Sequence, residues 1–347
     1  MTAPLFSKAR AGCGDLTSID KMELYQYARP ETAKNKKILY VHGFAGSGEN
    51  GTVRTMRLLL PGAEILAPDL PVDPGDALNL LEKLSSEEKP DIILGTSMGA
   101  MYTEMLHGFD RILVNPAFHL AETILKNNGL GKQDFHSPRA DGQTSFMVTK
   151  ALLERYREVS EGCFKTCDTE HVWGLFGRHD DQVDCFDEFA LHYPRAIRFE
   201  GGHYLDDHTF LRSVLPVIQE IDDAQEGLEK RTVAVDSGTL AEDNGSIQAF
   251  EKLAEWYDMY VLVTLDPNHP EIFAEKTGWA ALHLGVLAWN KIICMNHKDL
   301  LMTDYLVDRD PSSNGGDGFM GTAVRLGGET FKTWEDVLTY FERLGGQ

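Results

Sequence analysis

The sequence predicts an α/β fold: a mainly parallel sheet with helices on both faces, followed by a second, smaller α/β unit. Three observations predict it. Short apolar runs alternate with helix-spaced segments over residues 37–221, the pattern of strands buried between two helical layers. One junction carries the apolar run Asp91-Ile92-Ile93-Leu94 through Gly95-Thr96-Ser97-Met98-Gly99 into a helical segment, Ala100 to Leu106. Past a charged segment, Asp222 to Lys230, the alternation begins again at Thr232-Val233-Ala234-Val235-Asp236.

Taken in order, residues 1–21 read as a loosely ordered leader, and Met22 to Tyr27 alternates as a strand would. A polar turn, Arg29 to Lys37, precedes the strand Ile38 to Val41, which ends in His42-Gly43-Phe44-Ala45-Gly46-Ser47-Gly48. Helical spacing follows from Val53 to Leu60, then a strand from Ile65 that leaves on the proline-rich Ala67-Pro68-Asp69-Leu70-Pro71, then a helix from Ala77 to Ser85. After the Ser97 junction come the strand Arg111 to Val114 and a polar, irregular insertion, residues 119–170, with a helix around Phe146 to Val159. That insertion reads equally as a lid over the carboxyl ends of the strands or as a structural excursion. The sheet resumes at Val172 to Phe176 and Ala196 to Phe199, and a helix from Thr209 to Ile221 closes the first unit, residues 22–221. Residues 222–230 read as a linker. The second unit, residues 231–347, predicts a helix near Ile247 to Tyr257, strands at Tyr260 to Thr264, Ile292 to Cys294 and Tyr305 to Asp308, and a final helix from Trp334 to Leu344.

Composition narrows the function. The 347 residues suit about two domains. A formal charge of −21 argues against nucleic acid as a partner. No stretch approaches the ~18 apolar residues of a membrane span, and no basic-then-apolar leader marks secretion. The five cysteines, Cys13, Cys163, Cys167, Cys185 and Cys294, are odd in number and lack paired metal spacing. They predict reduced thiols in a cytoplasm and no metal site.

The chemistry is predicted by the Ser97 junction. A serine held on a strained strand-to-helix turn exposes its hydroxyl, and the flanking glycines avoid collisions with neighbouring backbone. Such a nucleophile needs a base, an acid to orient the base, and amide donors for the oxyanion. The loop after Phe176 offers Gly177-Arg178-His179-Asp180-Asp181, and the loop after Phe199 offers Glu200-Gly201-Gly202-His203. His203 is the predicted base. Asp180, three residues before Val183, is the predicted acid and Asp181 the alternative. The amides of Met98 and Phe44 are the predicted oxyanion donors. His42 reads as a structural histidine bonding its own loop, and His179 as a surface residue.

Residues 37–220 resemble the α/β-hydrolase superfamily, and within it the small bacterial esterases of the YqiA type. The likeness is carried by Tyr40-Val41-His42-Gly43-Phe44, Ala67-Pro68-Asp69-Leu70-Pro71, Gly95-Thr96-Ser97-Met98-Gly99, Asn115-Pro116-Ala117, the Asp180 loop and Gly201-Gly202-His203. The resemblance implies hydrolysis of small or unbranched acyl esters or thioesters without a cofactor. The partner is then a small molecule; homo-oligomerisation is left open.

Residues 231–347 resemble the haloacid dehalogenase superfamily, nearest to nucleotidases acting on deoxyribonucleotides. The likeness rests on Val233 to Leu240, Val263-Thr264, Lys298 with Asp308, and Gly321-Thr322 through Phe331 and Trp334. That chemistry needs two carboxylates two residues apart and further carboxylates for Mg²⁺. Here Asp236 stands alone: with Asp236 as the first carboxylate a residue is missing before Gly238, and in the other register Val235 and Ser237 replace both aspartates. Arg309 follows Asp308 where a second aspartate is usual, and the stretch from Asp236 to Thr264 is too short for a cap domain. The expectation is a capless, non-catalytic relative, with Asp236, Thr264, Lys298 and Asp308 as remnants of the motifs. Mg²⁺-dependent phosphatase activity, or a binding and assembly role, is the alternative.

Overall fold

A computed structural model describes residues 27–240, 244–265 and 268–345. The predicted leader, Cys13 and most of the first predicted strand lie outside the described residues; Tyr27 sits in a turn.

The first sheet takes its strands in the order β2-β1-β3-β4-β7-β8, all parallel. They are β1 (Lys37–Val41), β2 (Glu64–Leu66), β3 (Ile92–Thr96), β4 (Asp110–Val114), β7 (Val172–Gly177) and β8 (Ala196–Phe199). Side chains two apart on a strand face the same way, and here both faces are buried. Leu39, Val41, Ile93 and Leu113 join one core; Ile38, Tyr40, Ile92, Leu94, Ile112 and Val114 join the other. Near-continuous apolar strands are therefore what this sheet requires. The first core is covered by α2 (Pro74–Glu88) and α3 (Met98–Met105). The second is covered by α1 (Gly51–Leu59) and the helix that closes the unit.

Residues 119–170 are more regular than their composition predicts. They form α4 (Leu120–Asn127), an antiparallel hairpin of β5 (Gly131–Asp134) and β6 (Ser145–Val148), and α5 (Lys150–Ser160). The predicted helix starts four residues later than Phe146, which is a strand residue paired with Gln133. Thr149 is the reason: its hydroxyl caps the Leu152 amide at 3.1 Å and so fixes the helix start. Helix α6 (Phe186–Ala190) links β7 to β8. The closing helical segment opens with a turn at Asp207–Thr209, capped by Asp206, widens to a π-helical turn over Phe210–Val214, and continues as α7 (Leu215–Glu226). It runs well into the segment predicted as linker. Asp222 lies in it, buried, where it accepts the Ala33 amide at 2.8 Å and pairs with Lys36 at 2.6 Å. Gly227, at φ +64°, ends the helix in the left-handed conformation that glycine tolerates.

The second sheet is also parallel, in the order β11-β10-β9-β12-β13. Its strands are β9 (Thr232–Asp236), β10 (Asp258–Thr264), β11 (Ile292–Met295), β12 (Tyr305–Asp308) and β13 (Thr322–Arg325). The edge strand β13 was not predicted: it is short and largely exposed, so it carries no continuous apolar run. Helices α8 (Asn244–Leu253), α9 (Glu271–His283) and α10 (Trp334–Leu344) complete the unit; α8 stops four residues short of the predicted Tyr257. One face of the sheet packs Val233, Val235, Val261, Val263 and Val307 into a large core; the other buries only Ala234, Leu262, Leu301 and Leu306 together.

The two sheets meet through a 3-10 turn, Gly285–Ala288. Val286 enters the second core of the first sheet, and Trp289 meets Trp173 edge-on at 5.5 Å. Arg212 adds bonds to Glu251 and to the His283 carbonyl, both at 2.8 Å. No helix is long and apolar enough to cross a membrane among the described residues.

Candidate active site

Ser97 follows the last residue of β3 and precedes the first of α3, with φ +54° and ψ −116°. A non-glycine residue in that region stores strain, which the surrounding backbone must hold. It does so closely. A Cβ added to Gly99 would collide with the Val41 carbonyl, and one added to Gly95 with Thr103 and Gly99. The Ser97 amide donates to the Val114 carbonyl at 2.9 Å, and the Ser97 carbonyl accepts from Ala117 at 3.1 Å.

His203 arrives on the loop after β8. Its Nε2 lies 3.1 Å from Ser97 Oγ, and its Nδ1 lies 2.8 Å from Asp180 Oδ2. The side chains of His203 and Asp180 are 7% and 3% exposed, so this relay is shielded from bulk water. The other oxygen of Asp180, Oδ1, accepts the amides of Gln182 at 2.8 Å and Val183 at 3.0 Å. One carboxylate thus both shapes its own loop and faces the imidazole. Asp181 is exposed, and only its carbonyl is engaged, by Lys126 at 3.5 Å. The two adjacent aspartates, which residue spacing alone left open, are separated by this geometry.

Met98 is the first residue of α3, where an amide has no helical acceptor. Gly43 passes directly over the serine: a Cβ added there would stand 3.3 Å from Ser97 Cβ. That approach brings the loop carrying Phe44 beside Met98, and the two residues line one small chamber. His42 is buried and bonds the Gly43 carbonyl through Nδ1 at 2.8 Å, while its Nε2 accepts the Leu70 amide at 3.0 Å. Burial pushes its pKa down to about 4, so the ring is a neutral loop brace. His179 is exposed and paired with Glu200.

Asn115 is the residue whose part the sequence reading missed. At φ +46° it accepts the Gly177 amide at 2.7 Å and donates to the carbonyls of Gly202 at 2.9 Å and His203 at 3.0 Å. It ties the strand end before the acid loop to the histidine loop. An asparagine, which tolerates positive φ, directly before a proline at a strand end was the available signal.

The four residues singled out in the second unit also share one edge. Asp236 ends β9 and Thr264 ends β10; the threonine hydroxyl donates to Asp236 Oδ2 at 3.2 Å. Lys298 opens the turn after β11, and its buried ammonium meets Asp308, the last residue of β12, at 2.6 Å. Lys298 also donates to Ser313 at 2.7 Å and to the Asp310 carbonyl at 3.1 Å. Asp236 is held above the usual carboxylate range by burial and then by the charge of Asp308. The buried Ser237 hydroxyl has no hydrogen-bond partner among the described residues, and Arg309 is exposed.

Among the described residues, one group of mixed ligand atoms converges, His119, Cys185 and Glu188, all within 4.8 Å of one another. His119 and Glu188 already form a 2.9 Å pair at the surface. Cys163, Cys167, Cys185 and Cys294 are free, and burial pushes the Cys185 thiol up to about 11.

Residues 37–211, which hold the whole relay, match the family described as "Uncharacterised protein family (UPF0227)". The chain belongs to UPF0227. Structural likenesses to this UPF0227 chain are looser. Est1E from Butyrivibrio proteoclasticus is 15% identical, covering 57% of this chain and 90% of its own, with a TM-score of 0.39. Mouse alpha/beta hydrolase domain-containing protein 10 is 14% identical over 56% of this chain and 90% of its own, TM-score 0.36. The thioesterase domain from the curacin biosynthetic pathway is 14% identical over 56% and 92%, TM-score 0.34. The α/β assignment rests on this chain's own strand order. A curated relative, the "Putative 5'(3')-deoxyribonucleotidase" of Vibrio phage KVP40, is 36% identical over 96 residues, 28% of this chain. The chain spans 56% of that relative's length.

Proposed function

We propose that the chain is a serine hydrolase that cleaves small carboxylic esters or thioesters through an acyl-enzyme on Ser97. The supporting observation is the shielded relay of Ser97 Oγ, His203 Nε2 and Nδ1, and Asp180 Oδ2, at 3.1 and 2.8 Å. Ser97 attacks the acyl carbonyl as its proton passes to His203 Nε2. Asp180 holds the Nδ1 proton and stabilises the imidazolium. The amides of Met98 and Phe44 receive the oxyanion, His203 returns the proton to the leaving alcohol or thiol, and water then repeats the sequence to release the acid. UPF0227 membership spans every residue in this scheme. A fluorophosphonate label and p-nitrophenyl acetate turnover test it together. Both should vanish in Ser97→Ala, by about 10⁴-fold or more for turnover; a parent that neither labels nor turns over ester sinks the reading.

We read the second unit as a non-catalytic relative of the haloacid dehalogenase phosphatases. Its strand order, with Asp236 on the central strand, and the phage nucleotidase likeness support the kinship. Its residues do not fit Mg²⁺. Ser237 and Gly238 offer no carboxylate beside Asp236, and Asp308 is already neutralised by Lys298 at 2.6 Å. Mg²⁺-dependent phosphate release from a deoxyribonucleotide that survives Ser97→Ala would overturn this reading.

A further inference from the structure

The chamber beside the predicted oxyanion amides is small and walled by rings. It holds about 10 Å³ and is lined by Phe44, Met98, Phe135, Phe146 and Tyr156, among others. A cavity of ~10–15 Å³ barely admits one water. Phe44 meets Phe146 edge-on at 5.4 Å and Tyr156 at 6.5 Å, and Phe146 packs on Phe135 at 4.8 Å.

Substrate orientation points the acyl chain here. The leaving group must face His203, which returns its proton and which Tyr204, 71% exposed, meets edge-on at 5.3 Å. With the oxyanion on Met98 and Phe44, the remaining substituent of the carbonyl carbon is the acyl chain, and the chamber that these two residues line is the place the proposal below gives it.

We propose that Phe146, on the β5–β6 hairpin, closes this chamber and restricts the enzyme to acetyl-sized acyl groups. This rests on the Ser97 acyl-enzyme reading. The other walls have separate duties: Phe44 belongs to the oxyanion loop, and Tyr156 is anchored by donating to the Val72 carbonyl at 3.0 Å. Phe146 lines the chamber and packs on the rings of Phe44 and Phe135. The hairpin that carries it is pinned to the loops at the carboxyl ends of the sheet. His136 donates to the Ala45 carbonyl at 2.8 Å, and the Ser47 and Ser137 hydroxyls meet at 2.8 Å. Asp69 accepts the Ala140 amide at 2.6 Å, and Arg139, stacked over Phe135 at 4.5 Å, donates to the Leu70 carbonyl at 3.1 Å. A ring on so fastened a support does not yield freely to a longer chain.

The test is the ratio of kcat/KM for p-nitrophenyl octanoate to that for the acetate, measured within each variant. The parent should favour acetate by at least ~10-fold, since one methylene can weigh 10–200-fold in a shaped pocket. Phe146→Ala should raise the octanoate-to-acetate ratio at least ~10-fold, with Phe146→Leu between. The leucine variant keeps an apolar filling if alanine disturbs folding. Equal use of both esters by the parent, or an unchanged ratio in both variants, overturns the proposal. Calorimetry with octanoate in the Ser97→Ala background separates the two readings. Binding should appear only when Phe146→Ala is added; equal binding with and without it overturns the Phe146 assignment whether or not Ser97 is a nucleophile.

Discussion

Two sheet edges in this molecule place ionisable groups at the carboxyl ends of parallel strands, and they use them in opposite ways. At the first edge, Asp180, His203 and Ser97 form a hydrogen-bonded chain that ends at the serine hydroxyl. At the second edge the charges are spent on each other: Lys298 neutralises Asp308, and Asp236 is engaged by Thr264 and the Gly238 amide. The first arrangement ends on a hydroxyl, whereas the second closes into a buried ion pair. Charged residues at a strand end are therefore no sign of chemistry by themselves; the two edges differ in how those residues are bonded, a chain ending on a hydroxyl at one and an ion pair at the other.

The sharpest way to break this comparison is at the acid of the relay. Asp180→Asn should lower ester turnover by about 10³–10⁴-fold, because the imidazole loses the partner that holds its tautomer. Asp181→Asn should leave turnover within about twofold. Steady-state kinetics on the two variants decides the matter, and equal losses would mean that the loop rearranges in solution. Next comes the buried pair at the other edge. Lys298→Met removes one partner and should destabilise the fold by about 3–5 kcal/mol in urea unfolding. Its ester turnover per folded molecule should match the parent's. A fall in turnover instead would tie the two edges together functionally.

The smallest effect concerns His42. Its folded pKa, near 4, lies below the ordinary value of 6.5. As pH falls below about 6.5 the unfolded chain takes up this proton first, so stability present above 6.5 is lost progressively down to about pH 4. The shift corresponds to about 3 kcal/mol. His42→Gln, whose amide oxygen can still accept from Leu70, should flatten the dependence of the urea midpoint between pH 6.5 and 4.5. An unchanged slope would show that the buried ring is not what makes the fold acid-sensitive.

Much of this was legible along the chain. The strands of both sheets announced themselves as apolar runs because parallel strands are buried on two faces. The exception was β13, an exposed edge strand. Between β4 and β7 the reading was weakest. The hairpin there exposes Met147 beside Lys132 and Asp134, so no buried apolar run marks it, and a helix boundary was set by one capping hydroxyl, Thr149, rather than by periodicity.

The sequence by itself determined the alternation of strand and helix, the strained turn at Ser97, the chain order of Ser97, Asp180 and His203, and the absence of a second carboxylate just after Asp236. These are local properties, carried by a few neighbouring residues. Only the tertiary structure decided which of two adjacent aspartates faces His203, because that depends on how the loop after β7 meets the loop after β8, where Asp180 Oδ2 lies 2.8 Å from His203 Nδ1. The same holds for Asn115 joining two loops, for Asp222 drawing a helix into a segment that reads as linker, and for Phe146 standing against Phe44. Each is a contact between residues far apart in the chain, and such contacts exist only once packing has brought the segments together.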